Sequence, residues 1–401
     1  MTTAFFTFAY NAEKTLSRAV ESILAQTVDN WVYYLVDDGS LDGTAELIAK
    51  YAKQDERIMP VYMEKNDPYE ASRIGFKAIF EGGYDYFCML DADDAYKADF
   101  LERTLAFMRA YGLEICVCGS DFIEAKSCRI IGKREIESNL VLQSGKDYDT
   151  YFALSHQFMR TIWGKLFDVA LFKNFDYLDD SWDYYNVAYG GDTIFFMKAA
   201  QYADKIGIIS GTEHQYYMSE KSVSYSWNPK RPDADTILHN RAVEFLMRKT
   251  GYISSQNRQF LNIVYVNAVR DTTSVLLHSH VSAKDRYHVL REIFSSAHMV
   301  RFLENGENTP EEFNSLINDV FKAVDRFENA KKMDDGIWLG MTLSAFLGLE
   351  DKYIAYSLSN IENLINNGNV EAAKAELVEW ESLLGNNSKI SKLRFKLSKA
   401  K

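Results

Sequence analysis

Two acidic clusters offer the first chemistry in the sequence, Asp37-Asp38 and Asp91-Ala92-Asp93-Asp94. Each ends a short apolar run. Side chains two apart on an extended segment project to the same side, so Asp91 and Asp93 point together while Asp94 turns aside. Two carboxylates held close repel one another, which raises a pKa unless a cation relieves them. Hard oxygen ligands suit Mg²⁺ or Mn²⁺, and such ions hold substrate phosphates through one or two carboxylates. Taken alone, the tetrapeptide reads either as such a metal site or as a solvated turn in which Asp94 caps a helix starting near Tyr96.

The elements that must position these clusters alternate between strand and helix. Residues 3–8 form an apolar run, and Leu16, Ala19, Val20, Ile23 and Leu24 then mark one face of a helix. Residues 32–36 are strand-like and stop at Asp37-Asp38-Gly39-Ser40, followed by a helical face of Ala45, Ile48, Ala49 and Ala52. Residues 58–63 predict a third strand, Ala71 to Ile79 a third helix, and residues 84–90 a fourth strand. Strands alternating with helices of this length predict a mostly parallel sheet covered on both faces. In such sheets ligands bind beyond the carboxyl ends of the strands, where both acidic clusters fall. Residues 96–111 read as helix, 113–119 as strand, 125–160 as loops, and 206–209 as a strand continued or followed at Tyr216-Tyr217.

From about residue 233 the strand signals fade and helical periodicity runs to the end. Asn228-Pro229-Lys230-Arg231-Pro232 holds two of the five prolines and marks the expected boundary. The expected organisation is therefore an α/β domain over 1–228 followed by an all-α domain over 229–401. The last helix, after Asn386-Asn387-Ser388, carries six basic residues from Lys389 to Lys401 and no acid. It reads as a peripheral membrane or partner contact, or as cations complementing a helix C-terminus. The many apolar residues of this region also allow a homo-oligomer.

A formal charge of −12 argues against nucleic acid as the main partner. No apolar run approaches the roughly 20 residues needed to span a bilayer; residues 337–349 come closest and read as a buried helix. The start lacks signal-peptide features. Four cysteines (Cys88, Cys116, Cys118, Cys128) show no second ligand pair for zinc and are expected to be reduced and buried. The expected location is the cytoplasm, with the inner membrane face as the peripheral variant.

Several motifs in order resemble those of family 2 glycosyltransferases of the GT-A fold. They are Phe8-Ala9-Tyr10-Asn11-Ala12-Glu13, Asp37-Asp38-Gly39-Ser40-Leu41-Asp42-Gly43-Thr44 and Leu90-Asp91-Ala92-Asp93-Asp94. Trp163-Gly164-Lys165-Leu166, Asp192-Thr193-Ile194-Phe195-Phe196, and Tyr216-Tyr217 with Ser222-Val223-Ser224 follow. The resemblance covers residues 1 to about 228. It implies a Rossmann-like GT-A domain, a nucleotide-sugar donor and an Asp-X-Asp metal motif. Ala9, Tyr10 and Glu13 would line the nucleotide pocket, and Asp38 would hydrogen-bond the base, most often uracil in this family. Asn66 and Arg73 match positions that hold base or ribose, although Asp67-Pro68-Tyr69-Glu70 departs from the family's Gly-rich stretch. In Asp91-Ala92-Asp93, Asp91 would face the ribose or the ion and Asp93 would be the main ligand of Mn²⁺ or Mg²⁺.

The implied reaction transfers a hexose or N-acetylhexosamine from a UDP-sugar to a hydroxyl of a glycan, glycolipid or glycoprotein, with inversion. It needs a carboxylate base beside the acceptor and a metal at the leaving diphosphate. Asp192 is the candidate base, with Asp179, Asp180 and Asp183 as fallbacks. Gly191 stands where the family usually has Glu, and Asp192 also suits the start of a helix at Thr193. His214 reads as a structural histidine or a third metal ligand, and Trp163 and Lys165 as acceptor-side or core residues. A glycosyltransferase-like scaffold whose helical domain recruits partners is the alternative. A nucleotidyltransferase would need a glycine-rich phosphate loop near the N-terminus, which Ala9 to Lys14 lacks.

Overall fold

A computed structural model describes residues 1–179, 181–218, 226–277, 350–385 and 387–400, with scattered positions between 279 and 299. Residues 337–349, Asp180 and Ser222-Val223-Ser224 lie outside the described residues. The chain divides into two compact units, Met1–Ser224 with Ile237–Asn257, and Tyr225–Thr236 with Arg258–Lys401.

The first unit is built on strands β1 (Thr3–Ala9), β2 (Trp31–Asp37), β3 (Ile58–Tyr62) and β4 (Tyr86–Met89). Helices α1 (Leu16–Leu24), α2 (Thr44–Gln54) and α3 (Pro68–Phe80) connect them. β5 (Ala95–Tyr96), α4 (Phe100–Tyr111), β6 (Ile115–Glu124), β7 (Arg129–Arg134), β8 (Leu140–Leu142), α5 (Gly145–His156), β9 (Lys165–Asp168), α6 (Gly191–Tyr202) and β10 (Ile206–Met218) follow. The sheet runs β3-β2-β1-β4-β9-β6-β10-β5, with β7 on β6 and β8 on β10. Its first four strands are parallel, and β6 pairs parallel with β10. This is the mostly parallel sheet that the alternation predicts.

Phe5, Tyr33, Leu35 and Cys88 from the strands meet Leu16, Ala19, Val20 and Ile23 of α1 in one buried cluster. Burying such side chains contributes about 1.5–3 kcal/mol each. The predicted helical face of α1 is thus the face that packs. On the other side of the sheet, Phe76 and Phe80 of α3 join Phe87, Phe167, Phe172 and Phe195 in a network of ring contacts.

Residues 125–160 depart from the expected loops, since they hold β7, β8 and α5. β7 is an edge strand with Ile130 and Ile131 exposed, so it lacks the apolar-in, polar-out alternation that marks a strand. α5 opens on a capping box, in which Ser144 and Asp147 satisfy each other's backbone N–H groups. The helix expected from residue 96 starts only at Phe100, because Ala95–Tyr96 pairs with β10. Residues 206–218 form a single long strand.

Past residue 228 the described elements are helices, including Arg231–Thr250 (α7) and Ser255–Leu277 (α8). Residues 237–257 nevertheless belong to the first unit. Phe245 packs on Tyr148 and Phe152, Arg241 pairs with Asp183 at 2.6 Å, and Asn257 donates to Asp149. In the second unit α9 (Glu350–Asn366), α10 (Val370–Leu384) and α11 (Ser388–Lys399) bury Ile361, Trp380 and Ile390 together. Asn387 caps α11, whose Arg394 and Lys396 pair with Glu381 and Glu362. Cys88, Cys116 and Cys118 are free and buried as expected, whereas Cys128 is exposed in a turn. Among the described residues no helix is long and apolar enough to cross a membrane.

Candidate active site

The carboxyl ends of β1 and β2 are tied together by backbone and side-chain bonds. Asp38 N–H donates to the Ala9 carbonyl at 2.8 Å, and Ala12 N–H donates to Thr44 Oγ1 at 2.8 Å. Asn11 takes a positive φ of 49°, and its side chain accepts from Leu41 N–H. Glu13 N–H reaches Asp42, leaving its carboxyl exposed, and the Tyr10 ring is also exposed.

Asp38 is almost fully buried. Its Oδ2 accepts from Asn66 Nδ2 at 2.7 Å and its Oδ1 from Asp67 N–H at 2.6 Å. Burial pushes its pKa up, and these two donors pull it back. The departure at Asp67-Pro68 has a local cause: Asp67 caps α3 by accepting from Glu70 N–H, with Pro68 in the first turn. The structure thus brings Asp38 and Asn66 together. Arg73 reaches elsewhere: its Nη1 donates to the Leu178 carbonyl at 2.9 Å, and its guanidinium lies 4.1 Å over the Tyr185 ring.

Beyond β4, the Leu90 carbonyl accepts from Thr7 Oγ1 at 2.6 Å and its N–H donates to Phe6, which fixes the root of the acidic turn. Asp91, Asp93 and Asp94 each bring a carboxylate oxygen within 4.8 Å of the others. Asp93 is exposed, Asp91 partly so, and Asp94 is fully buried. Burial comes first in raising all three; mutual repulsion adds to it at Asp91 and Asp94. Asp91 also feels the repulsion of Asp192, so the two acidic positions lie near one another.

Asp94 does not cap a helix. Its Oδ1 accepts from Tyr217 N–H at 2.8 Å, while its buried Oδ2 has no hydrogen-bond donor. His214 Nε2 lies 3.4 Å from that oxygen, on a ring that burial keeps neutral. An orphaned carboxylate oxygen beside two further carboxylates fits a divalent cation, with Asp94 joining Asp91 and Asp93.

Asp192 lies in the first turn of α6, and its Oδ2 accepts from Ile162 N–H at 3.4 Å. Burial raises its pKa, while the Ile162 bond and Lys165 oppose the rise. The adjoining loop is rigid: the buried Lys165 ammonium donates to Thr161 Oγ1 at 2.8 Å and to the Trp163 carbonyl at 3.1 Å. Gly164, with φ of 69°, donates to the hydroxyl of Tyr96. Trp163 is buried and stacks on His214 at 4.2 Å and on Tyr216 at 5.4 Å. Asp179 and Asp183 are engaged elsewhere, Asp179 with Ser181 N–H and Asp183 with Arg241.

Sequence reasoning passed over Arg18, on the inward part of α1. Its Nη2 donates to the Asp93 carbonyl at 2.6 Å and its guanidinium lies 3.5 Å over the Tyr217 ring. A lone basic residue on an amphipathic helix gives no warning of this; only the approach of β10 to α1 reveals it.

Residues 5–173 match the model of the glycosyl transferase family 2 and form a domain of that family. TuaG of Bacillus subtilis, named a glycosyltransferase, is 40% identical over 100 residues, covering 25% of this chain and 39% of that protein. EpsJ of Bacillus subtilis, named an uncharacterized glycosyltransferase, is 25% identical over 233 residues, covering 58% of this chain and 65% of its own. The chain therefore aligns with less than two thirds of either relative. Among solved structures, S. aureus TarS 1-349 aligns over 97% of this chain and 93% of its own, with 15% identity and a TM-score of 0.46.

Proposed function

We propose that this chain is an inverting, metal-dependent glycosyltransferase that moves a hexose or N-acetylhexosamine from a UDP-sugar to a hydroxyl of a glycan or glycoconjugate. The observation that carries the reading is the grouping of Asp91, Asp93 and Asp94 at the end of β4, with one buried oxygen lacking a donor. Asp93 and Asp91 would hold Mn²⁺ or Mg²⁺, with Asp94 behind them. When bound, the ion supplies positive charge to the departing diphosphate.

The chain's own groups account for the rest. Ala9, Tyr10 and Glu13 form one wall for the nucleotide, and Ala92 the floor. Asp38, fixed by Asn66 and Asp67, presents its remaining lone pairs to the base; Arg73 acts through the loop it holds. Asp192 receives the proton of the acceptor hydroxyl, and the loss of the usual neighbouring carboxylate at Gly191 leaves it the base on this turn. Its raised pKa makes it a stronger base than an exposed aspartate. We place the protein in polysaccharide or glycoprotein glycan synthesis in the cytoplasm. The transferase domain is residues 1–228, and the helical residues 229–401 are an acceptor-binding or self-association region.

Hydrolysis of a panel of UDP-sugars with Mn²⁺ tests this reading. One UDP-sugar should be consumed by the wild type and none by Asp93→Ala, whose melting temperature should be unchanged. Full metal-dependent turnover in that variant would falsify the metal assignment.

A further inference from the structure

Arg134, at the end of β7, is surrounded by aromatic rings and lacks a countercharge. Its guanidinium lies 5.1 Å from the Trp163 ring centre, 5.8 Å from Phe158 and 5.9 Å from Phe122. Nη1 donates to the Gln157 carbonyl at 2.7 Å, Nε is buried without an acceptor, and Nη2 makes no hydrogen bond with the protein. Among the described residues no carboxylate pairs with it: neighbouring Glu135 faces Lys133, and Asp121 faces Lys97 and Lys133.

The charged groups close enough to disturb Arg134 are cations too, the buried Lys165 and Arg160. The Arg160 guanidinium is exposed and has no hydrogen bond or ion pair. A half-buried guanidinium without an anion, facing a like charge, is unfavourable for the fold by itself. In a chain of net charge −12, carboxylates to neutralise it are plentiful. The arrangement makes sense if a ligand completes it.

The position indicates which ligand. The carbonyl of Arg160 accepts from Thr193 Oγ1 at 3.2 Å, and Ile162 N–H donates to Asp192. The 160–163 loop thus lies on the turn that carries the proposed base, with the partly exposed Tyr216 ring stacked on the buried Trp163 beside it. Flat rings with a fork of N–H donors suit a sugar bearing a carboxylate or phosphate.

We propose that Arg134 and Arg160 form an anion subsite beside Trp163 and Tyr216 that selects an acceptor glycan carrying a negatively charged group. This rests on the transferase reading above and adds the acceptor's chemical class to it. Arg134 is a specificity-determining residue here, and Arg160 its outer partner.

Calorimetry on the full chain with saturating UDP and Mn²⁺ tests the subsite. The probes are an oligogalacturonate, a glycerol phosphate oligomer and a neutral malto-oligosaccharide of equal length. At least one charged probe should bind more tightly than the neutral one, and the preferred probe distinguishes carboxylate from phosphate. Arg134→Gln and Arg160→Gln should each weaken that probe about tenfold. The neutral probe and UDP should be unaffected, and added salt should shrink the preference. Arg134→Lys should retain part of the affinity. Binding of neither charged probe, an equal preference in the Arg134→Gln/Arg160→Gln double variant, or a matching loss of UDP affinity overturns the subsite. The wild-type UDP titration run alongside separates this from failure of the transferase reading, which would show no UDP binding at all.

Discussion

The acidic turn after β4 and the arginine pair at the end of β7 leave opposite charges uncompensated within the same unit. They do not neutralise each other, because the stacked rings of His214 and Trp163 stand between Asp94 and Arg134. Several other charges of this unit are paired: Arg103 meets Glu213, Arg57 meets Asp55, and Lys97 meets Asp121. Unpaired charge held in place by rigid packing is the mark of groups that wait for a ligand, a cation in one case and an anion in the other.

The sharpest way to separate the two sides is at Asp192, which borders both. Asp192→Asn should lower kcat by about 10²–10⁴-fold in a transfer assay, as expected for loss of a general base, and leave UDP affinity unchanged. Weakened UDP binding would move Asp192 to the donor side.

Stability should break the comparison in a second way. Asp38→Ala strands the donors of Asn66 and Asp67, so chemical denaturation should show a loss of about 1–3 kcal/mol, together with weaker UDP binding. Arg134→Leu removes a charge that no carboxylate among the described residues neutralises, so its melting temperature should be equal to or above that of the wild type despite the lost bond to the Gln157 carbonyl. A clear fall would make Arg134 a structural residue.

A smaller effect concerns His156, buried on α5 near Arg160. Burial, then the Arg160 charge, depresses its pKa from 6.5 to about 4. Because the folded pKa lies below the unfolded value, this contribution to stability is complete above pH 6.5 and is lost as the pH falls towards 4. His156→Phe should flatten the melting temperature over that window, and an unchanged acid slope would contradict the burial argument. The smallest effect is expected at Arg394→Ala in α11, which breaks an exposed pair with Glu381 and should not shift the melting temperature measurably.

The donor side was largely legible in the sequence and the arginine pair was not. β1 to β4 are apolar runs alternating with helical faces, and β2 and β4 run into Asp37-Asp38-Gly39-Ser40 and Asp91, so both the sheet and the acidic positions at its edge follow from local pattern. The extended geometry expected for Asp91 and Asp93 is not found: β4 ends at Met89, and a turn closed by Asp94 N–H on the Asp91 carbonyl at 3.2 Å gathers all three carboxylates. The cap, one of two readings open for Asp94, fails because its partners, Tyr217 and His214, lie more than a hundred residues away and arrive with β10. Arg134 sits on an edge strand without alternation, in a stretch that reads as loop, and its ring neighbours come from two other segments, β6 and the 158–163 loop. Ser144-X-X-Asp147 was a readable capping box that would have located α5. The boundary at the proline pair marks where strands end, but it cannot show that residues 237–257 return to the first unit, because Phe245 and Arg241 find their partners at long range.

The central claim is that the Asp91–Asp94 turn holds the ion that anchors a uridine diphosphate. Titration of UDP into the wild type and Asp93→Ala, with and without Mn²⁺, tests it most directly. The account predicts that Mn²⁺ tightens UDP binding by the wild type and has no effect on the variant. Equal enhancement by Mn²⁺ in both proteins, or no enhancement in the wild type, would contradict it.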